Sequence, residues 1–411
     1  MQLKKESKSV RGALALATCS LLTGTSQGVN AASEEKWEVD SAVLLYSEGS
    51  DRVSVIEPVV GLRKSLGDDE YVGVRLVVDT LTGSSPNGAI PTDEVQTFTT
   101  PSGNSSYTAG PGETPLDPTF RDTRVALSGE WEKPLSERLK GIFSANFSTE
   151  HDYQSAGISA TLARDFNNRN TTLSAGASFS QDTIEPEGGA PVGLTPMPAF
   201  PDVKETQSTS EDKTVSELLL GVTQVVNRRT LMQFNYTYGI DDGYLSDPYK
   251  LLSVTDGAGD VTGYLYENRP DERSRQTIFW RTLHHLSDDV ADVSYRYYWD
   301  DWDLNSHTLD LRYRHELGSG HYLQPHVRWY KQSAAEFYHF KLDEGNIPTY
   351  ASADYRLGNM TTNTFGLKYG VASSDKQEYS VRLEYMTQSD DDGEFEDVDA
   401  VLLQANYSFL F

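Results

Sequence analysis

Val401, Leu403, Ala405, Tyr407, Phe409 and Phe411 fall on every second position of the final eleven residues, forming one apolar face that ends the chain on phenylalanine. A face with period two belongs to a β-strand. The same period recurs upstream. In 231–240 the even positions Met232, Phe234, Tyr236, Tyr238 and Ile240 oppose Gln233, Asn235 and Thr237. In 171–179 Leu173, Ala175, Ala177 and Phe179 oppose Ser174, Gly176 and Ser178, and around 290–300 Val293, Tyr295, Tyr297 and Trp299 oppose Ser294, Arg296, Tyr298 and Asp300. No segment after the N-terminal stretch holds 18 consecutive apolar residues, so no transmembrane helix is expected. A chain of this pattern can live in a membrane only as a closed barrel.

The connections between strands alternate in length. Short polar turns are expected at 66–69, 133–138, 167–170, 227–229, 287–289, 318–320 and 373–376. Between them come long connections at 82–120, 183–211, 241–273 and 333–360, and short ones at 48–51, 150–152, 302–304 and 390–398. Bacterial barrels show this asymmetry, with short periplasmic turns and longer extracellular loops. The expected fold is all-β: a transmembrane antiparallel barrel of about sixteen strands (fourteen to eighteen), with both termini in the periplasm. The Gly-, Pro-, Ser- and Thr-rich loop 82–120 and the proline-rich loop 183–211 are expected to lack a core of their own.

Composition agrees. Aromatic residues reach 11%, with 23 tyrosines, in a chain whose hydrophobic fraction is 37%; aromatic girdles at two membrane interfaces account for that excess. The net charge of −26 argues against a nucleic-acid partner. Lys4, Lys5, Lys8 and Arg11 precede a short apolar stretch, 12–22, and small residues follow to Ala31 and Ala32. Residues 1–31 therefore read as a cleaved signal peptide and 32–411 as one barrel domain. The lone cysteine, Cys19, lies within that signal, which leaves no disulfide or cysteine-bound metal centre in the mature chain.

Charges at the membrane midplane cannot face lipid, where an arginine costs roughly 2–4 kcal/mol. Glu217, Arg296, Asp300, Asp310, Arg312, Arg314, Arg328, Arg382 and Glu384 are accordingly candidates for the inner wall. Both signs of charge there fit a water-filled channel or a network of pairs closing the barrel. Seven of the eight histidines lie in the C-terminal half, but the adjacent His284 and His285 face opposite sides and cannot chelate one ion. Ser306 and His307 diverge in the same way, and no G-x-S-x-G motif is present. No catalytic residue, metal or cofactor is expected. The acidic run 390–397 lacks the ligand spacing of an EF-hand and reads as a solvated loop.

Several dense strings carry a family resemblance. They are Asp79 to Gly88 (DTLTGSSPNG), Arg164-Asp165-Phe166 with Asn170 to Leu173, Gly243 to Lys250 (GYLSDPYK), and Arg269-Pro270-Asp271-Glu272-Arg273. Tyr295 to Trp302 with Ser306-His307-Thr308, Gln332 to Tyr338, and Ala353-Asp354-Tyr355-Arg356-Leu357 complete the set. With them the mature chain resembles a family of uncharacterised Gram-negative outer-membrane β-barrel proteins, known as a domain of unknown function. The resemblance implies a barrel in the outer membrane and brings no activity with it. Asp247, Arg269 and Arg273 lie in two of these strings that bracket one long loop. Pairing of Arg269 and Arg273 with Asp247, Asp300 or Asp301 is expected to order that loop rather than bind substrate.

Two functions follow as expectations. One is a porin-like channel for small polar solutes or ions. The other is a closed or plugged barrel anchoring a periplasmic or surface protein partner, in an extracytoplasmic redox or export system. The expected partners common to both are outer-membrane lipid and the barrel-assembly machinery, whose recognition signal the terminal Phe411, with Phe409 and Tyr407, resembles.

Overall fold

The computed structural model describes residues 36–49, 52–119, 121–374 and 376–411. The expected signal peptide, Cys19 and Asp51 lie outside the described residues. Sixteen strands close into one antiparallel barrel. We number them β1 (Trp37–Glu48), β2 (Ser54–Gly67), β3 (Glu70–Thr82), β4 (Arg121–Ser136), β5 (Leu139–Thr149), β6 (Tyr153–Phe166), β7 (Thr171–Ile184) and β8 (Glu211–Asn227). There follow β9 (Thr230–Gly243), β10 (Glu272–Leu286), β11 (Asp289–Asp300), β12 (Asn305–Gly318), β13 (His321–Gln332), β14 (Met360–Ser374), β15 (Gln377–Asp390) and β16 (Val398–Leu410). Each strand pairs with its neighbours in sequence, and β1 closes the ring by pairing on its other edge with β16, Ser41 opposite Tyr407. Closure leaves no free edge among the barrel strands, as a lipid environment demands.

The seven short turns lie where the polar clusters are. Asp68 and Asp69 join β2 to β3 with φ of 50° and 61°, the left-handed pair that matches strand twist in a two-residue hairpin. Asn167 and Asn168, in the same region of φ, turn β6 into β7.

The alternation sorts each strand into two faces. Leu173, Phe179, Leu218, Leu220, Phe365, Leu383 and Leu403 are exposed on the outside, where lipid covers them. Trp131 and Phe143 pack together at the turn end. Tyr379, Tyr407, Phe409 and Phe411 stack in sequence along the closing strands at the same end. These rings form the periplasmic girdle, and Tyr297 stacked on Trp299 belongs to the opposite one.

The four long loops add to one expectation. Each is too polar to fold alone, yet together they pack a shared core. Leu251–Thr255 and Val261–Tyr266 form a hairpin in the β9–β10 loop. Leu342–Asp343 of the β13–β14 loop adds to it in parallel. On the other edge Leu194 and Met197 donate to Tyr266 and Tyr264 from the β7–β8 loop. Phe98 of the β3–β4 loop is fully buried against Tyr107 and Tyr264. Leu252, Ala351 and Ala353 are likewise fully buried. Four loops pooling their few apolar residues bury what none can bury alone. The product is a cap over the barrel's outer end.

Candidate functional site

The cap meets the barrel through a knot of charges. Asp354 begins a single 3-10 turn, Tyr355–Leu357, and its carboxylate accepts from the Arg356 backbone N–H at 3.1 Å. The same carboxylate takes the Arg356 guanidinium through Nε at 2.8 and 2.9 Å and Arg269 at 3.0 Å. Arg356 also reaches Asp247, 3.0 Å away, and Arg269 holds Glu267 at 2.6 Å. The Lys250 ammonium donates to the Pro86 carbonyl. Glu267 and Asp354 are nearly inaccessible to solvent, so these bonds replace hydration they have lost. Burial pushes the Asp354 carboxyl up, but Arg356, Lys250 and Arg269 outweigh it and hold that carboxyl well below the usual carboxylate range. Asp247 follows the same logic, with burial opposed by Lys250 and Arg356. For Glu267 burial wins, and its carboxyl is raised despite Arg269.

From this knot a bar crosses the mouth. Tyr249 donates to Asp152 of the β5–β6 connection at 2.5 Å and accepts from the Glu187 N–H at 3.0 Å. Asp152, Asp247, Tyr249 and Arg356 line two cavities, of about 150 and 260 Å³. The bar therefore divides the mouth. The larger cavity looks down on Arg296, Ser306 and Tyr330 of the barrel wall.

At the rim, Asp300 ends β11 and organises the short β11–β12 connection. It accepts from Arg273 Nε at 2.8 Å, Tyr298 at 2.7 Å, and the Trp302 and Leu304 N–H groups at 3.1 and 3.0 Å. The Arg273 guanidinium lies 4.3 Å from the Trp302 ring centre, and Trp302 packs edge-on against Phe337 of the cap. Of the loop pairings expected from sequence, Arg273 takes Asp300. Arg269 turns instead to Glu267 and Asp354, and Asp247 is claimed by Arg356 from a different loop. The Asp301 carboxylate accepts from the Ser274 N–H.

Below the cap, Glu217, Arg296, Asp300, Asp310, Arg312, Arg314, Arg328, Arg382 and Glu384 all occupy inward positions by register. Two of them, Glu217 and Glu384, are reached by a partner two strands away. Arg275 on β10 passes over Gly239 on β9 to reach Glu217 on β8, and also holds Asp241 at 2.9 Å. A Cβ on Gly239 would sit 3.0 Å from the Arg275 guanidinium carbon. His326 on β13 passes over Gly366 on β14 to Glu384 on β15, 2.7 Å away, where a Cβ would stand 2.7 Å from the Glu384 Cγ. Tyr322 crosses Gly370 to Glu378 in the same manner, at 2.6 Å. Inward-facing glycines thus act as saddles for long side chains. Ser306 is buried inward while His307 lies outward against Tyr295 and Tyr297, so the two diverge.

Residues 11–409 match the model of a protein family described as a protein of unknown function, DUF3570. The chain belongs to this family. No curated protein matches the sequence. Among solved structures, the chain is similar to the CymD monoaromatic hydrocarbon channel at 10% identity and a TM-score of 0.42, covering 92% of this chain and 89% of the other. It is similar to a bacterial polysaccharide outer membrane secretin at 8% identity and 0.46, covering 93% and 100%. OccK3 (OpdO) of Pseudomonas aeruginosa gives 9% and 0.41, over 92% and 96%. Likeness at that level says nothing about solute or partner.

Several members of this site escape a reading of sequence. Asp354 and Arg356 stand in one of the family-like strings, which marks them, but no local rule names their partners 85 and 109 residues away. Lys250 is marked in the same way, at the end of the string that begins at Gly243, whereas Glu267, Arg275 and His326 carry no signal beyond their strand or loop position. The saddle glycines are visible only once the register places them between two polar side chains that meet above them.

Proposed function

We propose that this barrel is an outer-membrane channel through which small polar solutes or ions diffuse along a charged, water-filled lumen, entering past the bar at its capped mouth. The observation that carries this reading is the state of the inward charges. Arg75 and Arg328 both point into the barrel, and neither forms a hydrogen bond or ion pair among the described residues. Asp40 and Arg75 remain exposed although they face inward. Unpaired guanidinium groups persist in an interior only where water solvates them. A cavity of about 390 Å³ beside Asp40 and Arg75 has Arg63, Glu130, Asn146 and Asn406 in its lining. A sixteen-strand barrel is wide enough to hold such a channel.

The test is single-channel conductance of the refolded mature protein in a planar bilayer. Steady openings are expected, and a folded barrel that never conducts overturns the reading. The cap supports a second reading, in which its joint core shuts the mouth and the barrel anchors a periplasmic or surface partner. A silent barrel that binds a periplasmic protein stoichiometrically would favour it.

We also propose that the assembly machinery takes up the chain by its last strand. Removing Phe411, which stacks on Phe409, is then expected to lower the amount of heat-modifiable barrel in outer-membrane fractions. Unchanged assembly at low expression would dispose of that role.

A further inference from the structure

The β12–β15 wall carries an imbalance that the pairing below the cap leaves unresolved. His326 presents Nε2 to Asp310 at 2.9 Å and Nδ1 to Glu384 at 2.7 Å. Carboxylates accept, so both ring nitrogens must donate, which makes the ring an imidazolium. Arg312 shares Asp310 at 3.2 Å and Arg382 shares Glu384 at 3.4 Å. Two carboxylates are thereby divided among three cations. Arg328 is a fourth, opposite Asp310 on one side and Thr364 on the other. It forms no ion pair or hydrogen bond among the described residues. The Thr364 hydroxyl beside it is buried and has no partner there either.

A spare guanidinium next to a spare hydroxyl, on a wall with two excess positive charges, is a receptor for an oxyanion. The position strengthens the case. Arg296 lies nearer the mouth and lines the cavity under the bar, and Arg382 lies nearer the periplasm beside Lys368. The three make a descending basic track.

We propose that Arg328 and Thr364, backed by the His326 cluster, form an oxyanion-binding station that takes the carboxylate or phosphate group of a small solute in transit. This rests on the channel reading and names its solute class. Guanidinium recognises the planar carboxylate and the phosphate alike, so both are probed.

The experiment uses the refolded mature protein in a planar bilayer under a potassium chloride gradient, with succinate or inorganic phosphate added to one side. Wild type is expected to prefer chloride over potassium, and its current to be blocked by at least one of the two oxyanions. Block by succinate alone assigns carboxylates, and block by phosphate alone assigns phosphates. Arg328→Gln is expected to weaken block by about tenfold, the loss of one charge-assisted hydrogen bond. Thr364→Val is expected to weaken it less, with conductance retained.

If the channel conducts but Arg328→Gln is blocked as wild type is, the station falls and the channel stands. If wild type never conducts, the channel reading falls. Calorimetry with succinate and phosphate on the folded barrel then decides the station: binding lost in Arg328→Gln keeps it, and no binding ends it.

Discussion

Replacing Asp354 by alanine is expected to unfasten the cap while leaving the barrel intact. Its carboxylate is the shared acceptor of Arg356 and Arg269 and is almost wholly buried. Removing one partner from a buried ionic cluster leaves charge uncompensated, at about 3–5 kcal/mol. Arg356 keeps some exposure and retains Asp247, and Arg269 retains Glu267, so the low end, about 3 kcal/mol, applies. That is about a hundredfold in the cap's opening equilibrium. Limited proteolysis of the folded protein should show it, with cleavage within 244–271 and 333–359 accelerated by about that factor. Heat-modifiable migration of the barrel should not change. Cleavage at the wild-type rate would mean that the shared apolar core alone holds the cap.

Mild acid should not imitate this substitution. A depressed carboxyl contributes stability above its unfolded value, about 3.9 for aspartate, and loses it only as pH falls through the lower folded value. Asp354 and Asp247 are both depressed, so their contribution persists from pH 7 to about pH 4. Glu267 is raised, and for it the sign reverses: the folded state binds its proton more readily, so falling pH relieves a penalty. The cap should therefore stay closed to proteases at pH 5. Opening there would contradict the assignment of Asp354 as the charged centre of the knot.

The barrel is legible in sequence because its information is local. A two-residue period puts Phe234 outside and Gln233 inside whatever lies elsewhere in the chain, and an Asp-Asp or Asn-Asn step marks a turn by its own φ preference. The cap is less legible because its information is pooled. Phe98 on its own is one apolar residue in a polar loop, and its burial needs Tyr264 from a segment more than 160 residues away. The charged wall lies between these cases. Periodicity assigns Glu217 and Arg296 to a face but names no partner. Strand register alone reveals that Glu217 and Arg275 flank Gly239, and that Arg328 is left over beside Asp310.

The saddle makes a prediction whose sign separates it from ordinary strand energetics. Glycine inside a strand is unfavourable by roughly 0.5–1 kcal/mol relative to alanine, and valine is among the best strand residues. On propensity alone, Gly239→Val should stabilise β9. Its side chain, however, would occupy the path by which Arg275 reaches Glu217, where even a Cβ stands 3.0 Å from the guanidinium carbon. Glu217 and Arg275 are both buried, and displacing one strands the other. The expected result is destabilisation of about 3 kcal/mol, read as a lower denaturant midpoint of the refolded barrel. The control is a second background, Glu217→Leu with Arg275→Leu, in which no side chain needs the saddle. There Gly239→Val should be neutral or stabilising, because only strand propensity remains. Equal effects in both backgrounds would show that the glycine serves the backbone and not the ion pair above it.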